Sequence, residues 1–203
     1  MLLIIFHILY TISSILYIVA RIRQVRLTSL CLDDTIIPMT DEQTMRKVKV
    51  EGGNLKFSSA HFITYGGKCE RLHGHNYGVL VEIDGTLNED KLVFDFTVIK
   101  QLTREVCQRL NHRFLLPLHN PHLELIASPD TWEIHFQEKR YVFPRSDVVE
   151  LPIDNSTSER LAEYICGELR RALTVYNTAN LHTIMVGVEE APTQMAYYRV
   201  SLL

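Results

Sequence analysis

Hydrophobic and polar residues alternate in two segments between residues 47 and 87, and this alternation predicts two strands. The segment KVKVEGGNLKFSSAHFI alternates and breaks at Gly52-Gly53, and HNYGVLVEIDGTL alternates again. Successive side chains of a strand point to opposite faces of a sheet, so a period of two is typical of half-buried strands. We expect these segments to be antiparallel strands of one sheet.

A helical spacing of apolar residues follows in two later segments. TVIKQLTREVCQRLNH and STSERLAEYICGELRRAL each place an apolar stripe on one face. Ser156 followed by Glu159 has the form of a capping box at the start of the second helix. The predicted inner faces are Val98, Ile99, Leu102, Val106 and Leu110 in the first helix and Leu161, Ile165, Leu169 and Leu173 in the second.

The remaining patterned segments complete an α+β domain. HTIMVGVEE and QMAYYRVSLL predict two closing strands, and TWEIHF and RYVFP predict a hairpin between the helices. Strands before and after a pair of helices favour helices packed on one face of an antiparallel sheet. We therefore expect a four-stranded antiparallel sheet with two helices, in a single domain over 46–203 with an inserted hairpin at about 118–150.

The first 20 residues contain no Asp, Glu, Lys or Arg, and Arg21, Arg23 and Arg26 follow directly. Such a run has the length to cross a bilayer, and the charge after it would keep the rest of the chain in the cytoplasm. A start codon assigned too far upstream of Met39 and a cleaved signal are the alternatives. Residues 1–45 are treated as an N-terminal extension and linker outside the fold.

Net charge and cysteine content disfavour two classes of protein, those that bind nucleic acid and those built on disulfides. The 21 Lys and Arg against 24 Asp and Glu give a net charge of −3, which provides no broad basic face for nucleic acid, so we expect a small-molecule partner. The four cysteines form no CxxC pair, which disfavours a disulfide scaffold and fits a reducing, cytoplasmic compartment. Cys107 and Cys166 lie in the helical patterns and are expected to be buried.

Three histidines form a candidate metal site. His73 and His75 are one residue apart at the start of an alternating run, so both rings point to one face of a strand. His61, at the end of the preceding strand, supplies a third nitrogen if the strands pair. Three neutral imidazoles suit tetrahedral zinc with one open position. The alternative is a set of surface histidines; an HxHxDH dinuclear hydrolase is disfavoured, because Asn76 and Tyr77 follow.

Cys69 lies four residues before His73, between Lys68 and Arg71. Neighbouring cations lower the pKa of a thiol and make the thiolate available as a base or nucleophile. We therefore expect a reactive Cys69 near the metal. An incidental loop cysteine is the alternative.

Six motifs occur in a characteristic order: FSSAH, C-x3-HGHNY, VFDF, LNH, TSE-x-LA and VEEAP. In this order they resemble the 6-pyruvoyl-tetrahydropterin synthase family and its queuosine-pathway branch, the 6-carboxy-tetrahydropterin synthases. The resemblance implies a tunnelling fold whose subunits join their sheets into a barrel, as a homohexamer of two trimers. It also implies a zinc-dependent lyase that acts on 7,8-dihydroneopterin triphosphate.

The resemblance also implies roles for residues at matching positions. His61, His73 and His75 match the zinc ligands, and Cys69 matches the catalytic cysteine, while His112 matches the histidine of an Asp-His pair. Asn111 replaces the aspartate of that pair, so it can accept a hydrogen bond from the ring but cannot stabilise an imidazolium by charge.

Further matches concern the substrate. Glu190 of VEEAP matches the glutamate that holds the pterin ring, where a carboxylate can accept two hydrogen bonds. Thr157 and Glu159 fall where the family has T-x-E, although capping of the helix explains them almost as well. Ala191 replaces a threonine that is frequent in the family.

The short C-x3-H spacing resembles the 6-carboxy branch, which cleaves the side chain and releases acetaldehyde. The alternatives are the 6-pyruvoyl reaction, which eliminates triphosphate from the same substrate, and a non-catalytic pterin-binding zinc protein in which Asn111 has weakened proton transfer.

Overall fold

The computed structural model describes residues 44–202, which hold two helices and twelve strands. The helices are α1 (Phe96–Leu110) and α2 (Ser158–Leu173). The strands are β1 (Arg46–Val50), β2 (Lys56–His61), β3 (Thr64–Tyr65), β4 (Lys68–Cys69), β5 (His73–Gly85), β6 (Arg113–Pro117), β7 (Glu124–Ala127), β8 (Thr131–Phe136), β9 (Lys139–Pro144), β10 (Val148–Leu151), β11 (Leu181–Ala191) and β12 (Gln194–Ser201). The candidate membrane anchor lies outside the described residues. Neither helix between residues 44 and 202 has the length and apolar character needed to cross a bilayer.

The main sheet has seven strands in the order β10, β6, β2, β5, β11 and β12, with β1 paired to the second half of β5. The β10–β6 and β6–β2 pairings are parallel, and the others are antiparallel. The predicted four-stranded antiparallel sheet is therefore wrong in strand number and partly in direction. The missed strand β6, RFLLP, has four consecutive buried residues, so it carries no alternating pattern.

Both helices pack on the main sheet and bury the predicted stripes. All four predicted positions of α2 are buried, as are Ile99, Val106 and Leu110 of α1, with Val98 and Leu102 partly buried against the same core. Cys107 and Cys166 are buried there as predicted. The predicted cap of α2 is wrong by one residue, because Thr157 is the N-cap and its side chain accepts from the Arg160 N–H.

The predicted hairpin is confirmed as β8 and β9, which form a separate three-stranded sheet with β7. The insertion forms a second hydrophobic core together with the segment that precedes β5, with β6 and with the start of β10. Its buried members are Phe62, Cys69, Phe114, Leu116, Trp132, Ile134, Phe136 and Val148. The insertion thus packs directly against the segment that carries Cys69.

Candidate metal centre and catalytic cavity

Three histidine rings meet where β2 pairs with the start of β5. His61 is directly opposite His73 in this antiparallel pair, and opposed residues share a face of the sheet. His75 lies two residues farther along β5 and therefore on the same face. One ring nitrogen of each histidine lies within 4.8 Å of the other two. The structure thus brings together the three residues that the sequence predicts as zinc ligands.

Backbone carbonyls orient two of the rings. The Nδ1 atom of His61 lies 3.0 Å from the Ser156 carbonyl oxygen, and that of His73 lies 2.8 Å from the Arg71 carbonyl oxygen. A carbonyl can only accept, so each Nδ1 carries the proton and each Nε2 keeps its lone pair. A hydrogen bond of this kind is the usual support of a metal-binding histidine.

The donor set fits a zinc ion. The Nε2 atom of His75 is buried and has no hydrogen-bond partner among residues 44–202. Burial lowers the pKa of His61, and the neighbouring His73 and His75 contribute in the same direction, so the neutral ligand form of His61 is favoured. Three neutral imidazoles leave one position of a tetrahedral zinc for an exchangeable ligand.

Glu190 reaches the same point from β11. Its Oε1 atom lies 3.4 Å from Nε2 of both His61 and His75. The register between β11 and β12 shifts between Glu189 and Ala191, so Glu190 is the extra residue of a bulge, a feature that redirects side chains. Glu189 lines a different cavity, beside Gly78.

Tyr77 is a residue of this centre that was not predicted from the sequence. Its side chain is fully buried, and its hydroxyl lies 3.2 Å from His61 Nε2 and donates to Glu190 Oε1 at 3.5 Å. Burial, followed by the charge of Glu190, raises the pKa of Tyr77. The hydroxyl therefore stays protonated and acts as a donor. Its place in HGHNY, two residues after His75, is the signal that could have found it.

The three histidines and Glu190 line a cavity of about 640 Å³, the candidate metal cavity. Thr157 and Glu159, at the first turn of α2, line it together with Glu70 and the residues above. The two α2 residues therefore lie where a substrate could touch them. Thr157 also caps the helix, so its structural role and its place in the cavity coexist.

Cys69 does not line this cavity. Its side chain is only 9% exposed, lies in the core beneath the insertion, and donates from Sγ to the Glu70 carbonyl oxygen at 3.4 Å. Burial raises the pKa of the Cys69 thiol more than the nearby Lys139 lowers it. The predicted fall in this pKa is therefore wrong: Lys68 and Arg71 are exposed, and burial outweighs the one cation that acts on the thiol.

Glu70, and not Cys69, lies beside the histidine cluster. It lines the metal cavity, and its Oε2 atom lies 4.0 Å from His73 Nε2. Glu70 was not predicted, because the preceding Cys69 matches the catalytic cysteine of the family. The spacing of three residues between Glu70 and His73, in a loop entering β5, is the signal that could have found it.

Asn111 and His112 hold the edge of β2 at a second cavity. The Ser58 N–H donates to Asn111 Oδ1 at 2.8 Å, and the His112 N–H donates to the Ser58 carbonyl oxygen at 2.7 Å. Thus the side-chain oxygen of Asn111 binds backbone. His112 has a φ of 56°, a left-handed conformation that is uncommon outside glycine and often found at functional sites. Its side chain is exposed in a cavity of about 470 Å³ lined also by Phe143 of β9.

Comparison with known proteins shows the family. Residues 53–201 match the model of the family described as 6-pyruvoyl tetrahydropterin synthase. A protein from Methanocaldococcus jannaschii named putative 6-carboxy-5,6,7,8-tetrahydropterin synthase is 36% identical over 146 residues, covering 71% of this chain and 90% of its own length. A similar protein of that name from Pyrococcus horikoshii is 35% identical over 144 residues, covering 70% of this chain and 83% of its own.

A solved structure agrees with the sequence comparisons. The 6-pyruvoyltetrahydropterin synthase of Plasmodium vivax, in a form in which a catalytic glutamate is replaced by alanine, is 31% identical with a TM-score of 0.75. The match covers 78% of this chain and 99% of that chain. Because the family model covers most of the chain and the relatives and the solved structure agree with it, this chain belongs to the 6-pyruvoyl tetrahydropterin synthase family.

Proposed function

We propose that this protein is a zinc-dependent lyase that converts 7,8-dihydroneopterin triphosphate to 6-carboxy-5,6,7,8-tetrahydropterin, a step of queuosine and deazapurine biosynthesis. The observation that carries the proposal is the cluster of His61, His73 and His75, which faces one cavity with Glu190. The names of the Methanocaldococcus and Pyrococcus relatives favour the 6-carboxy product. The reduced cysteines fit a cytoplasmic enzyme.

His61, His73 and His75 would hold the zinc. Zinc in such a site supplies Lewis-acid polarisation of substrate oxygens and so acidifies the neighbouring carbon. The chain's own part is to orient the ligands, through the carbonyl oxygens of Ser156 and Arg71. Glu190 would bind the pterin, because its carboxylate can accept hydrogen bonds from the 2-amino group and N3 of the ring.

Three further residues support substrate binding. Tyr77 donates to Glu190 Oε1 and so orients the carboxylate toward the cavity. Thr157 and Glu159 line the same cavity at the start of α2. We assign them to the substrate, with Thr157 keeping its capping role.

Proton removal is assigned to the Cys69–Glu70 pair. Family resemblance supports Cys69, while position supports Glu70, because only the glutamate of this pair lines the metal cavity. A carboxylate is ionised at neutral pH and accepts a proton without prior activation. The variants Glu70→Gln and Cys69→Ala separate the two assignments.

His112 and Asn111 are assigned to proton shuttling across an oligomer. Within one chain, His112 lines a cavity different from the one that Glu70 and Glu190 line. We propose that a neighbouring copy brings His112 to the metal cavity, in a homohexamer of two trimers. The native mass of the zinc-loaded protein, measured by light scattering, tests this assembly.

The 6-pyruvoyl reaction is the second candidate. It is favoured by the likeness to the Plasmodium enzyme, which carries that name and has a catalytic glutamate. Mass spectrometry of the products from purified zinc-loaded protein and 7,8-dihydroneopterin triphosphate decides between them. Acetaldehyde and a 6-carboxy product support the proposal, a 6-pyruvoyl product with triphosphate supports the second candidate, and binding without turnover supports a pterin-binding protein.

A further inference from the structure

The tip of the β8–β9 hairpin contacts the loop in front of His73 through one lysine. The ammonium group of Lys139 donates to the Cys69 carbonyl oxygen at 2.5 Å and to the Glu70 carbonyl oxygen at 2.9 Å. About seventy residues of chain separate the lysine from these carbonyls, so tertiary packing creates the contact. The inserted hairpin therefore reaches the backbone of the two residues assigned to proton removal.

The ammonium group of Lys139 binds two backbone carbonyl oxygens instead of a carboxylate. Lys139 is partly buried, and among residues 44–202 no carboxylate lies within ion-pair distance of its ammonium group. Hydrogen bonds from a charged donor are about twice as strong as those between neutral groups. The charge also acts on the loop itself, because it lowers the pKa of the Cys69 thiol against the effect of burial.

The hairpin holds the lysine firmly. Phe136 and Trp132 of β8 belong to the same buried cluster as Cys69, and Tyr141 of β9 stacks on Phe62 with 5.1 Å between ring centroids. Lys139 is the first residue of β9, opposite Phe136, and it therefore belongs to a hairpin that is packed against this core.

The segment that it contacts is the end of the short β3–β4 hairpin, in which Thr64 pairs with Cys69. Gly66 and Gly67 form its turn with φ values of 54° and 73°, a conformation in which glycine is free and therefore costs the most entropy to fix. The Glu70 N–H donates to the Ile63 carbonyl oxygen at 3.1 Å, which ties one side. The hydrogen bonds from Lys139 hold the backbone of Cys69 and Glu70, shortly before β5 begins at His73.

We propose that Lys139 is a positioning residue of the pterin synthase reaction, which fixes the Cys69–Glu70 backbone so that the Glu70 side chain faces the metal cavity. The inference rests on the proposed function. It gives the inserted hairpin a role: the insertion covers Cys69 with apolar residues and delivers one cation to the loop beside the metal centre.

Three variants of the zinc-loaded full chain test the proposal. Lys139→Met removes the charge and the donors, Lys139→Gln keeps a neutral donor, and Lys139→Arg keeps both. We expect Lys139→Met to lower kcat about tenfold or more with KM within about twofold, because a displacement of about 1 Å at a reacting group is enough for such a loss. Lys139→Arg should restore most of kcat, and Lys139→Gln should lie between. Lys100→Met, on an exposed face of α1, is the matched control.

A second measurement does not depend on turnover. Alkylation of Cys69, located by mass spectrometry, should be faster in Lys139→Met than in the unaltered protein, because the loop over the thiol loosens. Lys139→Arg should restore slow labelling. Cys107 and Cys166, which are 1% and 0% exposed in the main core, are internal references whose rates should not change.

The outcomes separate this inference from the proposed function. An active protein whose Lys139→Met variant keeps kcat and Cys69 labelling unchanged overturns the inference and leaves the function standing. A protein inactive on the pterin overturns the proposed function, and the Cys69 labelling rates then decide the inference alone. If Lys139→Met does not fold, the Gln and Arg variants are compared. A parallel loss of melting temperature, zinc and kcat in Lys139→Gln would show a purely structural role and overturn the proposal.

Discussion

The ring of His61 is held by the backbone of Ser156, with 3.0 Å between Nδ1 and the carbonyl oxygen. The Ser156 hydroxyl in turn donates to the Phe62 carbonyl oxygen at 3.0 Å. Two hydrogen bonds therefore join the end of β2 to the entry of α2 beside the histidine cluster. The bond to Nδ1 leaves Nε2 of His61 facing His73 and His75. The Ser156 hydroxyl is bound to the Phe62 carbonyl oxygen, and it therefore does not cap the helix.

The first prediction concerns the metal. The purified protein should hold about one zinc per chain, and His61→Ala, His73→Ala and His75→Ala should each lose most of it, because two nitrogens do not complete a stable zinc site. Elemental analysis after dialysis measures the content. His119→Ala, at an exposed histidine outside the cavity, is the control and should keep its zinc. Full occupancy in all three ligand variants would refute the assignment.

The second prediction separates the two candidate bases. Glu70→Gln should keep zinc and lower kcat by about a hundredfold or more if the glutamate removes the proton, within the usual range for a general base. Cys69→Ala should keep zinc and lose turnover if the cysteine does so. Because Cys69 lies in a packed core, its variant should also lose about 1 kcal/mol of unfolding free energy. Thermal melts beside the kinetics distinguish a lost base from a weakened fold, and two fully active variants would remove the pair from the mechanism.

The third prediction concerns Glu190. Glu190→Gln should retain zinc but bind the pterin at least about tenfold more weakly, because a carboxylate that accepts two hydrogen bonds becomes an amide with a donor in one position. Calorimetric titration with a non-reactive pterin measures the affinity. Glu189→Gln is the matched control, since Glu189 faces another cavity. Zinc loss in Glu190→Gln would instead make the carboxylate a metal ligand.

The fourth prediction concerns Asn111. Asn111→Asp keeps an oxygen that can accept from the Ser58 N–H and adds a negative charge beside His112, which stabilises an imidazolium. We expect kcat near neutral pH to rise by roughly threefold or more, with a shifted pH–rate profile. Asn111→Ala, which removes the acceptor, should lower stability. A kcat at or below that of the unaltered protein, with zinc unchanged, would mean that the centre is adapted to a neutral neighbour.

The fifth prediction follows from thiol pKa values. Burial raises the pKa of Cys107 to about 12 and that of Cys166 to about 11. A thiol stays neutral at pH values below its pKa. At pH 8 the thiolate fraction is therefore on the order of one in ten thousand for Cys107 and one in a thousand for Cys166. Iodoacetamide should therefore label both only after denaturation, and labelling of the native protein should begin to rise only at strongly alkaline pH. Rapid native labelling at pH 8 would contradict the buried positions.

Much of the fold follows from local patterns. Both helices, the β8–β9 hairpin and the strands around His61 and His73 were predictable because their apolar residues repeat with the period of the element. Strand β6 was not, since a parallel strand buried on both faces carries no alternation, and the edge strand β10 has only four residues. The cap of α2 was placed one residue early because a serine and a threonine are adjacent there, and only tertiary contacts choose between them.

The candidate metal ligands could be predicted from the sequence alone. An alternating His-x-His strand start fixes two rings on one face, and the preceding strand provides the third. Tertiary structure alone decided the rest of the cavity. A bulge in β11 directs Glu190 to the histidines. The insertion buries Cys69 in its core, while the neighbouring Glu70 lines the cavity of the histidines. Adjacent residues in a loop have no fixed period, so the burial of one and the exposure of the other depend on what packs against them.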